Sequence, residues 1–129
     1  MSDKFTIEII SPDKIILQAE AKEVVIPSFE GEMGILKDHI PLITFLRPGL
    51  VNIIGEDKKT FFVEEGTVEF SNNILLILSA TAQELSKIDK NSLKNLIDDA
   101  EKKVKNENFS DKERYLLSYK VQTLKTLNQ

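Results

Sequence analysis

Apolar and polar positions alternate with a period of two up to about Ala82 and then change to a period near 3.6. Phe5, Ile7 and Ile9 alternate with Thr6 and Glu8, the pattern of a strand with one buried face. Further β-branched or apolar runs follow at Ile15 to Leu17, Glu23 to Ile26, Leu50 to Ile54, Thr60 to Val63, Thr67 to Phe70 and Ile74 to Leu78. Turn-forming residues separate them: Ser11-Pro12-Asp13, Gly55-Glu56-Asp57, Gly66 and Ser71-Asn72-Asn73, with Asn72-Asn73 placed to make a two-residue hairpin turn. Strands this short and close leave no room for crossover helices, which predicts an antiparallel sheet folded as a sandwich or flattened barrel.

After Ala82, residues Leu93, Leu96, Ile97, Ala100 and Val104 fall on one helical face. Asp89 is a suitable N-cap, and the polar stretch Lys105-Asn106-Glu107-Asn108 ends that helix. A second start follows at Ser110-Asp111-Lys112-Glu113, a capping box in which the serine and the glutamate each serve the other's amide. Leu116, Leu117, Val121, Leu124 and Leu127 then share a broader stripe. The short connection predicts an antiparallel helical hairpin whose apolar faces need each other and a further surface. The fold class is therefore α+β, with a β domain over residues 1–84 and a helical hairpin over 85–129.

With 129 residues the chain holds one core and a small appendage. No apolar run approaches the ~20 residues of a membrane-spanning helix, and the start Met1-Ser2-Asp3-Lys4-Phe5 is neither a signal nor a transit sequence, so the chain is expected to stay where it is made. The absence of cysteine removes disulfides and thiolate metal sites. Residues 1–85 carry 7 Lys and Arg against 14 Asp and Glu, whereas residues 86–129 carry 10 against 7. An acidic piece joined to a basic one suggests different partners at the two ends, and the net charge of −4 disfavours nucleic acid.

The least ordinary segment runs from Ile26-Pro27-Ser28-Phe29-Glu30-Gly31-Glu32-Met33-Gly34-Ile35-Leu36 through Lys37-Asp38-His39-Ile40-Pro41-Leu42 to Leu46-Arg47-Pro48-Gly49. Its glycines and prolines read as a shaped loop. The Glu-Gly-Glu-x-Gly-Ile stretch, the x-His-x-Pro-Leu that follows and the later Pro-Gly resemble the epsilon subunits of bacterial and plastid F-type ATP synthases and their mitochondrial counterpart, called delta. The order and spacing match, and the resemblance continues over the whole chain.

The resemblance implies a ten-stranded antiparallel β-sandwich followed by the helical hairpin. It also implies a non-catalytic central-stalk subunit of a proton-translocating synthase, with the sandwich on the gamma subunit and a Glu32-tipped loop on the c-ring. Glu32, Met33, Gly34, His39, Pro41, Leu42 and Leu50 are then the partner-binding residues, Met33, Ile35 and Leu42 supplying apolar rim area. The hairpin would either pack on the sandwich or extend toward the alpha and beta subunits of the catalytic head and inhibit ATP hydrolysis. Some family members bind ATP through an Ile/Leu-Asp-x-x-Arg-Ala motif. Here the match reads Ile88-Asp89-Lys90-Asn91-Ser92-Leu93, so Ser92 replaces the arginine and ATP binding is not expected. Neither catalytic residues nor a cofactor nor a metal is implied. The expected location is the cytoplasmic face of the bacterial inner membrane, peripheral, with the stromal side of the thylakoid second.

Two other classes compete. Glu30, Glu32 and His39 could form an acid–base site, but no serine, cysteine or second histidine completes a nucleophile or metal pattern, and a lone histidine beside Pro and Leu fits a packed, hydrogen-bonded role. An unrelated β-sandwich adaptor with a partner-binding hairpin is the other alternative.

Overall fold

A computed structural model describes residues 3–105 and 108–127. Ten strands come first: β1 (Phe5–Ile10), β2 (Ile15–Ala21), β3 (Glu23–Ser28), β4 (Gly31–Leu36), β5 (Leu42–Leu46), β6 (Gly49–Ile54), β7 (Lys58–Val63), β8 (Gly66–Ser71), β9 (Ile74–Leu78) and β10 (Gln83–Glu84). A 3-10 turn at Leu85–Lys87 leads to α1 (Lys90–Val104) and α2 (Asp111–Leu127).

The strands make two half-sheets. One runs β10-β7-β6-β3 with β4 on the free side of β3, and the other runs β5-β8-β9-β1-β2. They join where Ser28 of β3 pairs with Leu46 of β5. Alternation sends Val24, Ile26, Ile35, Val51, Ile53, Phe61 and Val63 inward from the first half, against Ile7, Ile9, Val68, Phe70, Leu75 and Ile77 of the second, and all are buried. Phe5 meets Phe70 edge to face, with centroids 5.7 Å apart. Asn72 and Asn73 both take positive φ, 52° and 60°, as a two-residue turn between β8 and β9 requires.

Two expectations change. The sheet is antiparallel at every pair except β1 with β9, which run parallel from Thr6–Ile74 to Ile10–Leu78. Short connections force antiparallel pairing only between consecutive strands, and here the rest of the sandwich serves as the crossover. The segment read as a shaped loop contains β4 and β5, because Gly31 and Gly34 mask the alternation of Glu32, Met33 and Ile35. Gly31, at φ 124°, closes the tight β3–β4 turn. Gly49 is needed for close approach, since an added Cβ would lie 2.6 Å from the Cβ of Pro27.

The hairpin covers the outer face of the first half-sheet. Leu50 and Phe62 are cross-strand neighbours on that face, and they pack with Leu93, Ile97, Ala100 and Leu124 as a second apolar cluster. Asp89 caps α1 by accepting from the Ser92 amide at 2.6 Å. In the capping box, the Glu113 amide donates to Ser110 Oγ at 3.1 Å and the Ser110 amide donates to the Glu113 carboxylate at 3.5 Å. Helix α1 ends at Val104; of the polar stretch expected to stop it, Asn106 and Glu107 lie outside the described residues.

The hydrogen bonds from Ser92 hold the Asp89 carboxyl below its ordinary pKa. A lowered folded value means the cap contributes fully above the unfolded pKa of about 3.9 and is lost as pH falls through the folded one. Helicity of α1, followed by NMR shifts of residues 90–94, should therefore decline on acidification below about pH 4. In Asp89→Asn, whose cap does not titrate, that decline should be absent; an identical decline there would refute the cap assignment.

Candidate interaction surfaces

The sequence-predicted site residues separate into three places. Glu32 sits near the start of β4, opposite Pro27, with its side chain exposed on the outer face of the first half-sheet. It shares a cleft of about 250 Å³ with Arg47, Asn52 and the α2 residues Tyr119 and Gln122. Gly34 lies on the same outer face and is exposed, whereas Met33 turns inward and packs against the core. Ile35 has no accessible surface, so it supplies no rim area; the strand register that exposes Glu32 buries Ile35.

His39, Pro41 and Leu42 stand at the opposite end of β4. The His39 amide donates to the Leu36 carbonyl at 3.1 Å, its Nδ1 lies 2.7 Å from the Ile40 carbonyl, and its ring meets Phe70 edge to face at 6.0 Å. These contacts are those of a packed histidine. The turn is pinned further by Asp38, whose amide donates to Asn73 Oδ1 at 2.7 Å while Asn73 Nδ2 donates back to the Asp38 carboxylate at 3.0 Å. Four strand steps of ~3.3 Å separate Glu32 from Leu36, so Glu32 and His39 do not form one acid–base site. Pro41 is exposed, and Leu42 is half-buried against the core. Leu50 packs partly buried against the hairpin cluster and also lines the cleft shared with Glu32 and Arg47.

Sequence reasoning missed an exposed apolar area. On the outer face of the second half-sheet, Ile43 is 77% exposed, Phe45 57% and Leu78 45%. Pairing makes them contiguous: Ile43 faces Glu69, Phe45 faces Thr67, and Thr67 in turn faces Leu78. Phe29 and Ile74 extend the exposed apolar surface. The run Leu42-Ile43-Thr44-Phe45-Leu46 is apolar at every position but one, so its period could not say which side is bare. A contiguous apolar face of this kind marks an interaction surface.

Among the described residues, no group of acidic or histidine side chains is placed to hold a metal, and no helix is long and apolar enough to cross a membrane. Tyr115 hydrogen-bonds Tyr119 beside Arg47, which holds the Tyr115 phenol below its ordinary pKa while Tyr119 is raised by the same hydrogen bond.

Residues 4–85 match the family described as ATP synthase, Delta/Epsilon chain, beta-sandwich domain. The ATP synthase epsilon chain of Pelagibacter ubique (strain HTCC1062) is 47% identical over 132 aligned residues, covering 99% of this chain and all of that one. The epsilon chain of Aquifex aeolicus (strain VF5) is 38% identical over 99 residues, 76% of this chain and 75% of its own. Among solved structures, a chain of the Euglena gracilis mitochondrial ATP synthase (OSCP/F1/c-ring, rotational state 1) superposes with a TM-score of 0.76 at 21% identity, covering 98% of this chain and 81% of that chain. A chain of the Tetrahymena thermophila mitochondrial ATP synthase central stalk and c-ring superposes with a TM-score of 0.63 at 12% identity, covering 96% of each. The chain belongs to the delta/epsilon family of ATP synthase subunits, and its role in that complex is non-catalytic.

Proposed function

We propose that this chain is a rotor subunit that ties the c-ring and the gamma subunit to the catalytic head, with residues 1–84 as the gripping domain and 85–129 as a regulatory hairpin. The observation that carries this is the exposed apolar face around Ile43, Phe45 and Leu78, which the hairpin touches only at its margin while it occupies the other face of the sandwich. An apolar surface of that kind fits a permanent partner, and gamma is its occupant in this reading. Exposed Pro41 precedes β5, which carries Ile43 and Phe45, while His39 packs on Phe70 at that end of the sandwich. Exposed Glu32, at the other end of β4, is the carboxylate offered to the polar loops of the ring. The hairpin, when lifted, would present its basic surface to the alpha and beta subunits and restrain hydrolysis. The complex places the chain peripherally at a membrane, on the cytoplasmic face if the source is bacterial.

Co-purification with gamma tests the grip. The chain truncated after Glu84 should still co-elute with gamma and should raise ATP hydrolysis by a reconstituted head, whereas full-length Ile43→Glu should keep its thermal midpoint and lose gamma. Retention of gamma by Ile43→Glu would reject this face as the contact. Glu32→Lys should leave the fold and gamma binding intact and reduce ATP-driven proton pumping in reconstituted vesicles; full pumping would remove Glu32 from the coupling contact. With Ser92 where other members carry arginine, calorimetric titration of the chain with ATP should give no saturable heat at micromolar concentration, and a micromolar Kd would overturn that expectation.

A further inference from the structure

Helix α2 is held on the sandwich by charged side chains on two sides and by an apolar stripe in which Val121 and Leu127 flank Leu124. Leu124 is its one fully buried side chain among the described residues, resting in the cluster with Leu50 and Phe62. On one flank, the Arg47 guanidinium lies over the Tyr119 ring at 4.1 Å from its centroid, and Tyr119 is braced by Tyr115 with centroids 4.9 Å apart. On the other, Lys120 pairs with Glu64, and these side chains are only 14% and 29% exposed. The hairpin's internal pair, Lys125 with Glu101, is far more open at 59% and 40%. Successive residues on a helix diverge by about 100°, so Tyr119 and Lys120 reach opposite flanks from a single point on α2.

Both sandwich anchors stand on fixed turns at the same end. Arg47 donates its amide to the Pro27 carbonyl at 2.9 Å, and the Glu64 amide donates to Thr81 Oγ1 at 3.0 Å. Gly49 and Val63, which follow and precede these turns, are paired.

We infer that Arg47 and Glu64 form a two-point polar latch that sets how much of the hairpin is docked, and that screening or neutralising the latch releases α2 while the sandwich stays folded. Charge attraction across a half-enclosed pair persists at moderate salt and weakens as the screening length shrinks below ~10 Å. An acidic partner surface competing for Lys120 would open the same latch. The regulatory meaning of this release rests on the reading of the hairpin given above; the latch itself is a property of the isolated chain.

Hydrogen exchange of the full chain, read by mass spectrometry at low and at high salt, tests it. In Arg47→Gln/Glu64→Gln, α2 amides should exchange about tenfold or more faster than in the parent at low salt, with the amides of β1 and β9 unchanged, and high salt should move the parent toward the variant. The charge exchange Glu64→Lys/Lys120→Glu should restore α2 protection that Glu64→Lys alone removes. Equal α2 exchange in parent and double variant, or failure of the charge exchange to restore protection over an intact sandwich, would overturn the latch. Gamma binding and head hydrolysis do not enter this readout. A latch that opens without any change in hydrolysis would count against the regulatory role alone, and failure of the parent chain to bind gamma would count against the rotor role alone.

Discussion

A β-strand sends neighbouring side chains to opposite faces, so a strand apolar at successive positions must be covered on both sides. Phe61 and Phe62 on β7 impose that requirement here: one fills the sandwich interior and the other needs a roof. The hairpin is that roof. Its own stripes, too short to form a stable coiled coil alone, are completed by Leu50 and Phe62. The second half-sheet has the same two-sided character at β5 and β9, but among the described residues the hairpin reaches only its margin, where Lys112 and Leu116 share a cleft with Phe45 and Leu78, which leaves Ile43, Phe45 and Leu78 largely exposed. One geometric rule thus accounts for the intramolecular interface and for the bare face attributed to a partner.

The two faces differ in permanence. The bare one is a broad apolar surface with a carboxylate, Glu69, within it, suited to a contact that stays made. The covered one joins a small apolar cluster to polar contacts at its flanks, Arg47 with Tyr119 and Glu64 with Lys120. Contacts of that mixed kind can be undone without exposing a whole core. The charge division along the chain fits the same picture, since one basic side chain of the hairpin already finds an acidic partner on its own sandwich.

Much of the fold is written locally in the sequence. Alternation at Phe5, Ile7 and Ile9, the paired asparagines, the Asp89 cap and the Ser110–Glu113 box each depend on near neighbours, and each stands in the structure as expected. What escaped was non-local pairing or local signal that was masked. The parallel pairing of β1 with β9 leaves no mark on sequence spacing, and glycines concealed β4 within a presumed loop. Of the expected contact residues, Glu32, Gly34 and Pro41 are exposed, Met33 and Ile35 face inward, and Leu50 packs partly buried against the hairpin cluster. Ile43 and Phe45 went unnoticed because a run apolar on both sides gives no direction.

The parallel pairing has an outcome for how the chain comes into being. Thr6 to Ile10 find their inner neighbours only in Ile74 to Leu78, so during synthesis the first hairpin must wait, one apolar edge open, until nearly the whole sandwich has left the ribosome. Long-range closure of this kind is slow, and the waiting edge is adhesive. The helical pair follows the sandwich in the chain, so it emerges after the closing strand and can settle on a finished platform.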